Sequence, residues 1–334
     1  NAHVIDEGRS TASNILMAPS TQASPHALEP NSPTGLRVDI SMTGIDDLRL
    51  LSAFMGRPLS TIDQSGNSVP AYEIYALRYA VHDERQASQN FIAHDIHDGP
   101  MPLDFFVWAI VGKNRTIVVD TGFGETEAAQ RGRRLLRTPQ AALESINIDS
   151  RWIEDVIITH LHYDHAGTTE DFPNATFHLQ DLEMQYATGR HMRHGVMRAA
   201  FSVEDVVRFV HHVYDDRITF HDGDAEIAPG ISVHFVGGHT MGLQCVRVHT
   251  ARGWVVLASD ASHYYDNMNK ASPFPIVYDV GQMLEGYDVL RRWADSDDHI
   301  VPGHDPLVLQ YYPPANAELA GEVARLDLPP TIER

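Results

Sequence analysis

The chain has 334 residues, 43% of them hydrophobic, enough for one large or two modest domains with a real core and no disulfide scaffold. Lys and Arg number 25 against 45 Asp and Glu, a formal charge of −20 that repels phosphate backbones and anionic lipid, so neither nucleic acid nor a membrane surface is an expected partner. A single cysteine, Cys245, excludes an internal disulfide and a multi-thiolate metal site, while 20 histidines leave open a site built from nitrogen and oxygen ligands.

Residues 1 to about 37 are rich in Ser, Thr, Ala, Asn and Pro without sustained periodicity, and residues 1–70 are read as an N-terminal extension, partly irregular, before a domain over 71–334. The chain starts at Asn1 rather than Met, so an export signal ahead of it would not be visible. No run of 18 apolar residues suggests a transmembrane helix, and a cytoplasmic location is the expectation. From Tyr72 the character changes: "YEIYALRYAV", "LDFFVWAIVG" and "RTIVVDTG" read as a meander of three strands. Helical patterns follow at 125–136 and 139–146, the second with Thr138 as N-cap and Pro139 at its first position. The basic run "RGRRLLR" at 131–137 reads as the solvated face of a helix.

"EDVIIT" is a short apolar run typical of a buried strand. Further strands are predicted at "ATFHLQ", "ISVHFVGG", "LQCVRVHT" and "GWVVLASD", with Cys245 as a small buried apolar residue in the third of these. Residues 181–216 read as helical. Val280, Met283, Leu284, Tyr287 and Leu290 form a core-facing helical stripe before a last strand, "DHIVPG". Strands arriving in two sets, with helices after each, imply two packed sheets covered by helices.

The densest chemistry is "THLHYDHAG", residues 159–167, at the end of the "EDVIIT" strand. His160 and His162 would point to one side of an extended chain, and a turn beyond them can return Asp164 and His165 toward the same point, so that two metals could share one loop. Three more candidates stand at strand ends: His239 in "VGGHTMG", Asp260 in "LASDASH" and His304 in "VPGHDP". Taken singly, a strand-end Asp is often a cap and a lone His an ordinary core or surface residue; together they repeat one rule.

With "VVDTG" upstream, the set "THLHYDHAG", "GGHT", "SDAS" and "PGHD" resembles the metallo-β-lactamase fold superfamily from about residue 72 to 312. Within it, "LDFFVWAIVG", "HLHYDHAG", "DASHYY" and "GHDP" look most like the N-acyl homoserine lactonase (quorum-quenching lactonase) family. The resemblance implies an α/β (α+β) fold, a four-layer αβ/βα sandwich of two mixed β-sheets flanked by helices. It implies two zinc ions, one on His160, His162 and His239, a second on Asp164, His165 and His304, with Asp260 bridging. A metal-bridging hydroxide would open a small-molecule lactone or related ester, with Asp164, Asp260 and His263 nearest the reaction and a homodimer as the assembly. Asp120 matches the family's strand-end aspartate and is read as orienting a ligand histidine, with a plain turn or cap as the other reading.

One departure stands out. Lactonases of this kind carry a tyrosine three residues after the bridging aspartate, where this chain has His263, followed by Tyr264 and Tyr265. His263 is the favoured helper at the carbonyl oxygen, with a loop-bracing role or a neighbouring tyrosine as alternatives. Met101, Phe105, Met268 and Phe274 are candidates to line a pocket, or ordinary core. His191 and His194 could face that pocket but fit a solvated surface better. The competing functions are a thioesterase of the hydroxyacylglutathione hydrolase type, disfavoured because only Arg325 and Arg334 follow His304 as basic residues, and a catalytically silent metal-binding module.

Overall fold

β1 (Glu73–His82), β2 (Leu103–Val111) and β3 (Thr116–Val119) form an antiparallel meander, as their apolar runs predict. In β2 the side chains alternate between two cores: Phe105, Val107 and Ala109 enter one, and Phe106 and Trp108 enter the other with Ile110. A strand buried on both faces belongs to an inner layer. The computed structural model describes residues 69–93 and 98–332. Of the extension expected over residues 1–70, all but the last two residues lie outside these ranges.

β4 (Arg134–Leu135) pairs with β1, while β5 (Asp155–Ile157), β6 (Thr176–Gln180) and β7 (Ile218–His221) extend the sheet from β3 in parallel. A second sheet holds β8 (Ala225–Ala228), β9 (Ile231–Phe235), β10 (Gln244–Thr250), β11 (Gly253–Ser259) and β12 (Ile300–Pro302), antiparallel except for β11 with β12. β13 (Val323–Arg325) returns to the first sheet beside β1.

Three apolar layers hold these elements. Ile74, Trp108 and Ile117 from the first sheet meet Val233, Val246 and Leu257 from the second. The far face of the first sheet packs Val156 and Phe177 against Ala142 and Leu143 of the helix Pro139–Glu144 and Phe209 of the helix Val203–Tyr214. The far face of the second packs Cys245, Val256 and Ala258 against Tyr287 and Leu290 of the helix Val280–Trp293. The order is helix, sheet, sheet, helix, the four-layer sandwich of two mixed sheets that the motifs imply. Cys245 is fully buried, its thiol pushed up to about 12 by burial. No helix among the described residues is long and apolar enough to cross a membrane.

Several local expectations need correction. The helix placed at 125–136 spans Glu125–Arg131 and stops because Gly132 takes a left-handed conformation, φ 63°, after which the chain extends into β4. The run 131–137 is therefore not a helix face. The helical stretch at 181–216 is broken into Asp181–Ala187, a 3₁₀ turn at Arg190–Arg193, Gly195–Arg198 and Val203–Tyr214. In the helix Val280–Trp293, Met283, Tyr287 and Leu290 are buried, but Val280 and Leu284 are exposed. One residue step turns the helix by 100°, which takes Leu284 off the seam that Met283 occupies. Thr138 does cap the helix Pro139–Glu144, its Oγ1 accepting from Ala141 N.

Candidate metal centre

β3 and β5 run parallel, so their carboxyl ends sit together: Val119 is in register with Ile157, and the chain then releases Asp120 from one strand and Thr159 and His160 from the other. Asp120 takes a left-handed φ of 61°, rare for a residue with a side chain. Three hydrogen bonds hold it. Its Oδ1 accepts from Thr159 N at 2.7 Å, and its Oδ2 accepts from Thr159 Oγ1 at 2.9 Å and from His165 Nδ1 at 2.7 Å. Burial raises the carboxyl's pKa, against the pull of His165 and Thr159.

In the second sheet the same rule repeats. β11 and β12 are parallel, with Ser259 opposite Pro302, so Asp260 and His304 emerge side by side. Gly303 makes that approach possible, since a Cβ there would lie 2.8 Å from the backbone C and O of Ser259. The two sheets are tied at this end by Gln244, whose N donates to Thr159 O at 3.1 Å and whose Nε2 donates to Ile158 O at 2.8 Å.

The convergence that results is tight. The ligand atoms of His160, His162, His239 and Asp260 all lie within 4.8 Å of one another, as do those of Asp164, His165 and His304, and those of Asp260, His263 and His304. Asp260 divides its two oxygens between the two sets. Its Oδ2 stands 3.1 Å from His239 Nε2 and 3.6 Å from His160 Nε2, and its Oδ1 stands 2.9 Å from His304 Nε2 and 3.2 Å from His165 Nε2. His162 Nδ1 lies 3.0 Å from His160 Nε2 and 2.9 Å from His239 Nε2.

Three buried imidazole nitrogens cannot all satisfy one another with the single proton each neutral ring carries. A shared cation would, and the donor set, five histidines and two carboxylates without sulfur, suits a borderline divalent metal such as zinc. The rings are also fixed from behind: His160 Nδ1 lies 3.1 Å from Thr159 Oγ1, His165 Nδ1 donates to Asp120, and His304 Nδ1 donates to Asp104 O at 2.8 Å. Each contact leaves Nε2 aimed inward, and His165 Nε2 is buried without a hydrogen bond. Burial first, then neighbouring rings, holds His160 and His162 well below the usual histidine pKa, in the neutral form a metal requires. Asp260 is held well below the ordinary carboxylate range because His263, His304, His165 and His160 outweigh its burial.

A cavity of about 160 Å³ opens over this cluster, lined in part by His162, Asp164, His239, Asp260, His263 and His304. Of His263, Tyr264 and Tyr265, only His263 lines the cavity. Tyr264 is buried with its hydroxyl donating to Pro102 O at 3.1 Å, and Tyr265 packs between the sheets against Tyr311. His263 Nε2 is 3.0 Å from Asp260 Oδ2, and its ring stacks on Phe274 at 3.7 Å and 4°. Phe105 and Phe274 line the cavity, whereas Met268 is core beneath the helix Val280–Trp293 and Met101 packs at the edge of the first sheet's core. His194 is exposed, and His191 rests against Tyr186 and Tyr278, away from the cavity wall.

Two groups of residues had escaped the sequence reading. Glu183, on the helix Asp181–Ala187, is fully buried and accepts from Leu161 N at 2.9 Å and Gly242 N at 3.0 Å, so it clamps the two loops that carry His160, His162 and His239. No periodicity marks such a buried acid. Arg85, Arg131 and Arg133 line the cavity, and Gly132, read as a helix stop, would have shown that the last two do not share a helix face.

Residues 104–304 match the family profile described as the metallo-beta-lactamase superfamily. A protein named as a probable metallo-hydrolase from Mycobacterium tuberculosis is 24% identical over 233 residues, 58% of this chain and 72% of that protein. The N-acyl homoserine lactonase AttM of Azorhizobium caulinodans is 27% identical over 175 residues, 50% of this chain and 63% of that protein. Among solved structures, an N-acyl homoserine lactone hydrolase with the product N-hexanoyl-L-homoserine at its catalytic metal centre superposes with a TM-score of 0.58 at 21% identity. That match covers 71% of this chain and 94% of the other.

Proposed function

This chain belongs to the metallo-β-lactamase superfamily, and from that premise we propose that it is a dinuclear zinc hydrolase that opens a lactone or a related carboxylic ester. The observation that carries the reading is Asp260, whose two oxygens face two separate histidine sets, the arrangement expected of a carboxylate shared by two cations. His160, His162 and His239 would hold one cation, and Asp164, His165 and His304 the other. A pair of zinc ions bound there would polarise the substrate carbonyl and bring the pKa of water from about 15.7 toward about 7.

The chain's own residues do the rest. In the reaction the oxygen of water bonds to the carbonyl carbon, the ring C–O bond breaks, and the departing alkoxide takes a proton, giving a hydroxy acid. Asp164 stands on the cavity wall beside His165 and His304 and is placed to pass that proton. His263 is neutral, its pKa lowered to about 3 by burial, with Asp260 opposing the shift. With its proton on Nε2, it can direct that hydrogen bond from Asp260 to the negative charge developing on the substrate oxygen. Phe274 under the ring limits its swing.

The test is metal content of the purified chain together with turnover of a lactone series of varied acyl length beside a thioester. Two equivalents of metal, loss of lactone opening on chelation and recovery with zinc are the expected outcome. Tightly held metal with no turnover of any lactone, ester or thioester would sink the proposal in favour of a silent module. Faster turnover of the thioester would reassign the substrate.

A further inference from the structure

The cavity is also lined by cationic side chains, which the chain's overall charge of −20 does not foreshadow. Arg85 and Arg133 both line it. The neighbouring arginines are paired with carboxylates: Arg78 with Asp104, Arg131 with Glu127, Arg134 with Asp83 and Arg137 with Glu322. Arg85 and Arg133 are held only by neutral groups among the described residues. Arg85 donates from Nε to Asn90 Oδ1 and from Nη2 to Gln89 O; Arg133 donates from Nε to the Tyr163 hydroxyl at 3.1 Å and from Nη1 to Arg131 O at 2.7 Å. The carboxylates on the same cavity, Asp164 and Asp260, belong to the histidine cluster, so two half-buried guanidiniums without an ion-pair partner among the described residues place positive charge on its wall. His82, on the same wall, registers it: burial, then Arg133 and Arg85, lower its pKa to about 4.

The two guanidiniums are also preorganised. Arg85 lies over the Phe274 ring at 4.6 Å, and that ring stacks on His263, so a single column links the arginine to the Asp260 cluster. Arg133 is fixed through Tyr163, which belongs to the loop carrying His162 and Asp164. Groups already locked lose little entropy when a ligand arrives. The cavity, about 160 Å³, is smaller than the roughly 300–1,000 Å³ that encloses a drug-sized ligand.

From this geometry we infer that the substrate is a compact lactone or ester bearing a carboxylate, seated between Arg85 and Arg133 while its scissile carbonyl lies over the Asp260 cluster. The inference rests on the hydrolase reading for the reaction, but the anion subsite stands on the arginines alone. A long neutral acyl chain has no charge for these arginines.

Binding tests the subsite apart from turnover. Calorimetry on the full chain as purified would compare 3-oxocyclopentane carboxylate, which offers the carbonyl and the anion but no ester to open, with its methylamide. The carboxylate is expected to bind about tenfold or more tightly, from hydrogen bonds to charged groups. In Arg85→Gln and in Arg133→Gln that preference should fall toward one, and Arg133→Lys should restore part of it. Thermal melting of each variant reports folding, and if one does not fold, the other and the wild-type comparison decide. Equal binding of acid and amide by the wild type, or an undiminished preference in a folded Gln variant, overturns the inference. In the parallel arm, γ-butyrolactone carrying a ring carboxylate is compared with its methylamide for ring opening. Preferential binding without opening of either, together with no turnover across the wider lactone, ester and thioester series, would defeat the hydrolase reading and keep the subsite; opening of both at equal kcat/KM would do the reverse.

Discussion

Asp120→Asn isolates one proton at the candidate metal centre. The carboxylate accepts three hydrogen bonds, from Thr159 N, Thr159 Oγ1 and His165 Nδ1. An amide of the same shape offers one oxygen and one NH₂. With the oxygen toward Thr159 N, the NH₂ faces His165 Nδ1; flipped, it faces the Thr159 N–H. In the first case the imidazole can avoid a donor–donor clash only by moving its proton to Nε2, the atom aimed at Asp260 and the ligand cluster. In the second case a buried backbone donor loses its partner.

Either way a buried hydrogen bond to a charged group is lost, about 1.5–3 kcal/mol of folding free energy. Metal affinity at the Asp164, His165 and His304 set should weaken about 10- to 100-fold, the range for removing the partner that orients a ligand histidine. Urea unfolding of the metal-free chain would read the first quantity, and zinc titration against a chromophoric chelator the second, with the His160, His162 and His239 set as internal reference. A variant that loses stability yet holds zinc as tightly as the wild type at both sets would refute the orienting role and leave Asp120 as a turn-stabilising cap.

Glu183→Gln keeps the shape of the clamp between the two ligand loops but turns one of its acceptors into a donor facing Leu161 N or Gly242 N. A loss of about 2–3 kcal/mol in denaturant unfolding is expected, and an unchanged midpoint would show that the loops hold without it. Gly242→Ala would bring a Cβ against the backbone N and Cα of Glu183, so a loss of about 1–3 kcal/mol or more should appear by the same measurement, with Gly195→Ala, which has open space around it, as the near-neutral control. Burial raises the Asp205 carboxyl to about 7 although Arg208 lies 3.0 Å away. Its folded pKa is above the unfolded value, so the folded state binds the extra proton between about pH 4 and pH 7, and stability from this group falls as pH rises through that window, by at most about 1.4 kcal/mol for each pH unit crossed. The difference in unfolding free energy between wild type and Asp205→Asn should therefore change between pH 4 and 7; a constant difference would show that the carboxyl is ordinary.

Much of the fold was legible because strands and helices write their burial into local period. β2, buried on both faces, reads as a continuous apolar run, and the runs before Asp120, His160, Asp260 and His304 mark strand ends where ligands gather. Short strands with mixed faces did not show: β7, β8 and β13 pair only because a neighbour's edge is available. A helix stop at one glycine separated Arg131 from Arg133, and reading through it hid the basic wall of the cavity.

By itself, then, the sequence determined which side chains could bind metal and that each stands at the end of a buried strand, since both follow from residue type and local pattern. That those ends meet was decided by the tertiary structure. The parallel registers of β3 with β5 and β11 with β12 set Asp120 beside Thr159 and Asp260 beside His304, and Gln244 draws the two sheets together at that end. The same packing put His263 rather than Tyr264 or Tyr265 on the cavity, buried Glu183 between two loops, and left Arg85 and Arg133 on the cavity outside any ion pair among the described residues. Such outcomes depend on contacts between residues far apart in the chain, whose free energy is realised only once the layers have packed.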